Sequence, residues 1–353
     1  MANLRYGIVG AGSIGKVHAE AISKVDGAEV VAFADPAMDT RQAAAERFGV
    51  PLQYDYVEDM LAAQKLDVVV VAVPNVSHAP VALAALRAGC HVLCEKPPTV
   101  NAAQAKEMMD LAADKGVRLQ YGLVMRFSAE AETAKAYVDA GRLGTIYHST
   151  VQIWRRRGIP GLGSWFTTKA ESGGGALIDI GVHMIDLTHY LMGLPKPIAA
   201  SAVTHAKFGV DADSYNYLSM WGTPVPGGPF DVDDLACALI RFENGASLVL
   251  QAAWAANTSD GMDVRLMGDK GGLELSPGNY VRVLTEDNGF IADIKPQYKA
   301  ADNFAEQHRH LVAAIGDKSR AIRTDGRQGF VLQSMLDAIY RSAAEGNEVN
   351  IEV

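Results

Sequence analysis

The strand-like run Tyr6 to Val9 passes directly into Gly10-Ala11-Gly12-Ser13-Ile14-Gly15 and then into a helical pattern, an order that few folds accept. Gly10 permits the tight turn, Gly12 lets the backbone approach a pyrophosphate, and Gly15 allows close packing of helix on strand. Free N–H groups and the positive end of the helix then favour phosphate oxygens, which puts Ser13 and Ile14 at the same place. Asp35 ends the second strand about 20 residues further on, where a carboxylate accepts both hydroxyls of a ribose. A 2′-phosphate there meets like charge, and Pro36 and Ala37 offer it no cation. Arg41 is read as part of a solvated helix face. The expected cofactor is NAD, with NADP disfavoured.

The N-terminal third continues in the same style. Apolar runs at Val30 to Ala34, Val68 to Val73, His91 to Cys94 and Leu119 to Leu123 alternate with helical patterns at Thr40 to Phe48, Ala79 to Ala88 and Asn101 to Lys115. This predicts a Rossmann domain, a doubly wound parallel sheet over residues 1–123, with Asn101 as a helix N-cap. Beyond it the period changes. One helix is expected over Ala129 to Ala140 and another over Ala176 to Met192. Strands are expected over Ile146 to Trp154, Ile198 to His205, Tyr215 to Trp221, Leu235 to Phe242, Ala246 to Trp254 and Met262 to Met267. They describe an α+β domain over 124–353 with a large open antiparallel sheet. Late helices within about 303–344 are expected to return to the first domain.

A chain of 353 residues suits two such domains. With 49% hydrophobic and 21% charged residues it has a globular composition, and its apolar runs are strand-sized, not membrane-sized. A net charge of −9 argues against nucleic acid or an anionic membrane as partner. The three cysteines, Cys90, Cys94 and Cys237, do not complete a metal site and read as reduced, packed thiols. The first apolar strand begins at about Leu4, which leaves no room for a signal peptide and makes the cytoplasm the expected location.

Two further stretches carry chemistry: Cys94-Glu95-Lys96-Pro97 after the fifth strand, and the run from Gly173-Gly174-Gly175 through Asp179 to Gly181-Val182-His183. With the glycine loop, and in this order along essentially the whole chain, they resemble the Gfo/Idh/MocA family of glucose–fructose oxidoreductase, inositol dehydrogenase and rhizopine catabolism. The resemblance implies a Lys-Asp-His active site at Lys96, Asp179 and His183, with Pro74, Asn75, His78 and Glu95 beside the cofactor. It also implies a C-terminal sheet that buries a subunit interface, hence a homodimer or homotetramer. The chemistry agrees. Lys96 lies just past the end of a parallel strand, where open α/β sheets bind ligands. Asp179 and His183, four residues apart, share one helix face. A neutral imidazole takes the proton of a secondary alcohol as hydride leaves carbon, Asp179 orients the ring, and Lys96 stabilises alkoxide character. No metal is required. Asp186 and His189, further along that helix, read as structural.

The pocket wall is less defined. Trp154, Arg156, Trp165 and Arg126 are candidate substrate contacts, since aromatic faces stack on sugars and guanidinium forks bind hydroxyls or acids. Alternation sets Arg155 and Arg157 on the face opposite Trp154 and Arg156, so at most one pair faces a ligand; interface or surface ion pairs are the competing role. The expected activity is NAD-dependent oxidation of a secondary hydroxyl on a sugar, glycoside or cyclitol. Two alternatives remain: a redox-neutral enzyme that cleaves a glycosidic bond with bound NAD, and a non-catalytic NAD-binding regulator. Intact Lys96, Asp179 and His183 speak against the second.

Overall fold

The computed structural model describes residues 3–216 and 220–353. The chain divides into two units, Met1–Val124 with Asp302–Gln333, and Met125–Ala301 with Ser334–Val353.

In the first unit β1 (Leu4–Val9), α1 (Ser13–Ile22), β2 (Ala28–Ala34), α2 (Met38–Phe48), β3 (Leu52–Tyr54), α3 (Val57–Ala63) and β4 (Val68–Val71) follow in order. They are succeeded by α4 (His78–Arg87), β5 (His91–Cys94), α5 (Ala102–Lys115) and β6 (Leu119–Tyr121). The six parallel strands lie in the order β3-β2-β1-β4-β5-β6. All four valines of β4 are 0% exposed, as a strand covered on both faces requires, and each contributes about 1.5–3 kcal/mol of burial. The strand order reverses between β1 and β4, so their carboxyl ends open a crevice at Gly10 and Val73. Asn101 caps α5 as expected, accepting the Gln104 N–H at 3.0 Å, and Gly116 ends that helix at φ 64°. Short elements β3 and α3 lie outside the sequence expectation because each is under two turns or three residues of weak pattern.

The second unit opens with α6 (Ala129–Asp139), capped by the Ser128 hydroxyl on the Ala131 N–H. β7 (Ile146–Trp154), α7 (Lys169–Ser172), α8 (Val182–Leu191), β8 (Pro197–His205), β9 (Leu235–Phe242) and β10 (Ser247–Ala253) follow. β11 (Gly261–Gly268), β12 (Gly272–Ser276), β13 (Tyr280–Asp287), β14 (Phe290–Ile294) and β15 (Val349–Asn350) complete a nine-stranded sheet, ordered β14-β13-β12-β11-β7-β10-β9-β8-β15. The sheet is mostly antiparallel with one departure from expectation: β7 and β10 run parallel, Leu250 opposite Val151. β12, β13 and β14 add strands where none was expected, and Asn288-Gly289 joins the last two with φ of 50° and 81°. In the expected strand Tyr215 to Trp221, residues 217–219 lie outside the described residues, and Tyr215, Asn216, Met220 and Trp221 are not in a strand. The expected helix Ala176 to Met192 begins as a π-helical turn, Leu177–Gly181, before α8.

Two late helices, α9 (Asn303–Gly316) and α10 (Gly326–Glu345), precede β15, and the division between units falls within α10. In the first unit Leu311 and Ala314 of α9, with Ile322, join the core formed by Tyr6, Ile8, Ile22, Phe33, Val70 and Leu93. All three cysteines are free thiols, with Cys90 and Cys94 buried at either end of β5. Among the described residues no helix is long and apolar enough to cross a membrane.

Candidate active site

The glycine loop separates into two roles. A Cβ on Gly10, which has φ 93°, would lie 2.2 Å from the Ala72 carbonyl oxygen, and one on Gly15 would lie 1.9 Å from the Gly10 oxygen. The protein itself demands these two glycines. A Cβ on Gly12 would meet nothing within 4 Å, so the space over Gly12 is open to a ligand. Gly12 is the N-cap of α1, with no side-chain cap and no acid in the first turn, and so leaves the helix N–H groups for an anion. At the end of β2 the Asp35 carboxylate accepts the N–H groups of Ala11 at 2.8 Å and Ala37 at 2.9 Å, one on each oxygen. Each oxygen retains a lone pair for a ribose hydroxyl. Arg41 is not on a solvated face: its Nη1 lies 2.5 Å from both the Asp35 carbonyl oxygen and Asp55 Oδ1. These residues fit NAD.

Pro74 precedes a 3₁₀ turn, Asn75–Ser77, that places Asn75 and His78 at the end of β4. His78 is enclosed, with Nδ1 2.8 Å from the Pro97 carbonyl and Nε2 3.0 Å from that of Val73. Burial lowers its imidazole below the ordinary value, and the single N–H of the neutral ring donates to one of these two carbonyls while the other nitrogen only lies against its neighbour. Glu95 also turns inward. Its Oε2 accepts the Lys96 backbone N–H at 3.1 Å and its Oε1 lies 2.9 Å from His18 Nε2.

In the second unit the triple glycine is a packing requirement. A Cβ on Gly174 would lie 2.0 Å from Tyr340 Oη, and one on Gly175 would lie 1.8 Å from the Asp233 carbonyl oxygen. The buried Asp233 carboxyl accepts N–H groups from Gly175 at 2.8 Å and Leu177 at 2.9 Å, and the Tyr340 hydroxyl at 2.8 Å. Burial pushes this carboxyl up, against those three bonds. The turn so fixed launches the π turn that carries Asp179, whose Oδ2 accepts the Trp254 indole N–H at 2.8 Å. His183 follows in the first turn of α8.

The alternation of β7 settles which pair of residues meets Asp179. Val151 and Ile153 are buried on the face shared with Leu250 and Ala252 of β10, and a Cβ on Gly181 would touch Ala252 at 3.4 Å. Trp154 is on the opposite face, its indole N–H donating to Gln152 at 3.2 Å, and Arg156 is exposed. Arg155 is the arginine on the Asp179 side: burial lowers its guanidinium from the ordinary value, and the Asp179 and Asp260 carboxylates oppose that shift. Arg157 is held by Asn257 at 2.8 Å and lies over the Phe208 ring. Trp165 stacks on Phe166 with centroids 3.7 Å apart, and Phe166 meets Trp221 edge-on. Arg126 is 1% exposed, its Nε and Nη2 forked onto Asp186 at 2.9 and 2.5 Å and its plane over Tyr190. That fork anchors α8 and removes Arg126 from the pocket candidates.

The oxidoreductase family with the NAD-binding Rossmann fold (GFO_IDH_MocA) matches residues 4–123, and the GFO/IDH/MocA C-terminal domain matches residues 131–274. The chain belongs to the Gfo/Idh/MocA oxidoreductase family. It is 36% identical over 357 residues to the D-glucoside 3-dehydrogenase of Escherichia coli K12, covering 99% of this chain and 97% of that one. Among solved structures, an oxidoreductase domain protein from Kribbella flavida superposes with a TM-score of 0.87 at 25% identity over 100% of both chains. Levoglucosan dehydrogenase in complex with NADH and L-sorbose gives 0.86 at 25% identity, again over 100% of both.

Within this Gfo/Idh/MocA chain Asp233, Tyr340, Trp254 and His18 support the site without belonging to any of its sequence motifs. His18 left a signal: with Gly15, Ala19 and Ile22 it lies on the buried stripe of α1, a polar residue at an apolar position. The others are brought in by long-range packing and leave no local pattern.

Proposed function

We propose that this oxidoreductase is an NAD-dependent dehydrogenase that converts a secondary hydroxyl of a glucoside-like sugar to a ketone. When bound, NAD supplies the acceptor for the hydride that leaves the carbinol carbon. Phosphates are received by the bare N-terminus at Gly12, Ser13 and Ile14, and Asp35 receives the ribose hydroxyls. Lys96 donates a hydrogen bond to the substrate oxygen and stabilises its developing negative charge. His183 accepts the hydroxyl proton as general base. Asp179 orients that imidazole and stabilises its protonated form. Arg155 and Trp165 are the substrate contacts of the second unit.

The observation that carries this reading is the fixed carboxylate of Asp179, held by Trp254 one turn before a histidine. The full-length likeness to a D-glucoside 3-dehydrogenase favours a glucoside over a cyclitol. The experiment is NADH formation, read by absorbance, over methyl glucosides, levoglucosan, myo-inositol and free aldoses, with NAD and NADP in parallel. A glucoside oxidised faster with NAD than with NADP is the expected result. Measurable NAD binding with no NADH from any of these sugars overturns it.

A further inference from the structure

Behind the Glu95-Lys96 corner runs a line of buried polar side chains that the proposed reaction does not use. His18 lies on α1, the helix whose N-terminus forms the phosphate site. Its Nε2 is 2.9 Å from Glu95 Oε1, and its Nδ1 is 3.0 Å from Nε2 of His308 on α9. Both histidines are 0% exposed. Tyr6 meets His308 edge-on at 5.7 Å and Phe304 meets His18 at 5.4 Å, so aromatic edges enclose the pair.

The donor to Glu95 can be assigned. Burial pushes the Glu95 carboxyl up, but the bond and charge of His18, together with Lys96, outweigh it and hold Glu95 below its ordinary value. An ionised carboxylate only accepts, so His18 Nε2 carries a proton. Burial and the neighbouring His18 hold His308 well below the ordinary imidazole value, leaving it neutral with one N–H. Its Nε2 meets His18 Nδ1 at 3.0 Å, a contact bridged by one proton whose side is set by the protonation of the two rings. His18 Nε2 therefore donates to Glu95 Oε1 while its Nδ1 contacts His308, and Oε2 accepts the Lys96 N–H. A Cβ on Gly122 would lie 2.6 Å from Oε1, so the carboxylate is also confined from the far side.

We infer that His18 is a positioning residue: through Glu95 it fixes the backbone at Lys96, linking the phosphate-binding helix to the group that polarises the substrate. This rests on the role given to Lys96 above. The same corner would tolerate an apolar filler if packing alone were needed, since a buried ion pair seldom adds net stability.

His18→Gln and His18→Asn separate positioning from packing. The glutamine amide reaches the place of Nε2 and keeps a donor on Glu95; the asparagine amide reaches only the place of Nδ1 and keeps His308. With a methyl glucoside and NAD, His18→Asn should lose about 10- to 100-fold in kcat, the scale of a slightly misplaced group. The KM and the NADH affinity from fluorescence titration should stay within about threefold, and His18→Gln should recover most of kcat. Equal kcat in the two variants overturns the inference, whatever their melting temperatures. Glu95→Gln, which keeps the shape but replaces one acceptor by a donor, should also lower kcat, and unchanged turnover there overturns it equally. Lys96→Ala in the same assay keeps the two ideas apart. If it retains turnover, the role of Lys96 falls; if it loses turnover while His18→Asn does not, only the positioning role falls.

Discussion

Asp179 accepts the indole N–H of Trp254 at 2.8 Å, and both side chains are enclosed. The bond joins the end of β10 to the π turn, a local widening of the helix of the kind often found at functional sites. It fixes the carboxylate in one orientation without drawing on α8 itself. Trp254→Phe keeps an aromatic ring and removes the donor. A hydrogen bond to a charged group is worth about 1.5–3 kcal/mol, so urea melts should show a loss of that order. Turnover should fall by about 10- to 150-fold if the same free energy is lost from the transition state. Undiminished kcat in a folded Trp254→Phe protein would show that the Asp179 orientation is not limiting.

Lys96→Ala and His183→Ala test the chemical step. Lys96→Ala should lower kcat by about 10²–10³-fold, the scale of a lost electrostatic stabiliser, with NADH affinity nearly intact. For sugar oxidation, kcat/KM should rise with pH as the general base loses its proton, and His183→Ala should lack that limb. A pH profile of unchanged shape in His183→Ala assigns the base elsewhere.

Cofactor choice rests on Asp35 and on what restrains Arg41. Asp35→Ala should weaken NAD by on the order of tenfold and narrow its advantage over NADP. Arg41 stays pinned to Asp55 in that variant, so the double change Asp35→Ala with Asp55→Ala should narrow the gap further by freeing a guanidinium for a 2′-phosphate. Titration of both cofactors reads this directly. A gap as wide as in the parent protein removes Asp35 from the ribose.

Acid should destabilise the fold through its buried histidines. Burial lowers His189 from 6.5 to about 4, against a bond to the Pro195 carbonyl at 2.7 Å. Because the folded value is depressed, the unfolded chain takes up the proton first, so stability is complete above 6.5 and is lost as pH falls toward 4. The contribution of His189 is about 3 kcal/mol, and the lowered His78 and His308 act in the same direction. Melting temperatures taken down this range should fall steadily, and His189→Gln should flatten the slope. An equal slope in that variant places the acid sensitivity in other groups.

The glycine loop, Asp35 and the order of elements through β6 were legible because each depends on residues adjacent in sequence. The pocket wall was not. The alternation of β7 correctly set Trp154 and Arg155 on opposite faces, but which face is covered depends on the π turn and α8, which no local pattern reports. Arg126 follows a strand, a position that suits a ligand contact, and only packing shows that its fork is taken by Asp186. The segment from β12 to β14 was missed although Asn288-Gly289 is a strong hairpin signal, because its strands carry charges on the open face and short apolar sets on the other. Asp233 and Tyr340 secure the glycine turn from distant points in the chain, and that kind of contact is invisible before folding.

The cysteines at either end of β5 make this strand a reporter. Burial pushes the Cys90 thiol up to about 11 and the Cys94 thiol well above its ordinary value. The thiolate is the reactive form, so alkylating agents and peroxide should pass both by while the sheet is closed. Cys94 adjoins Glu95, and catalysis on Lys96 should therefore need no added reductant. Iodoacetamide reaching Cys90 or Cys94 then marks molecules whose parallel sheet has opened, a count of unfolding events taken beside the proposed active site.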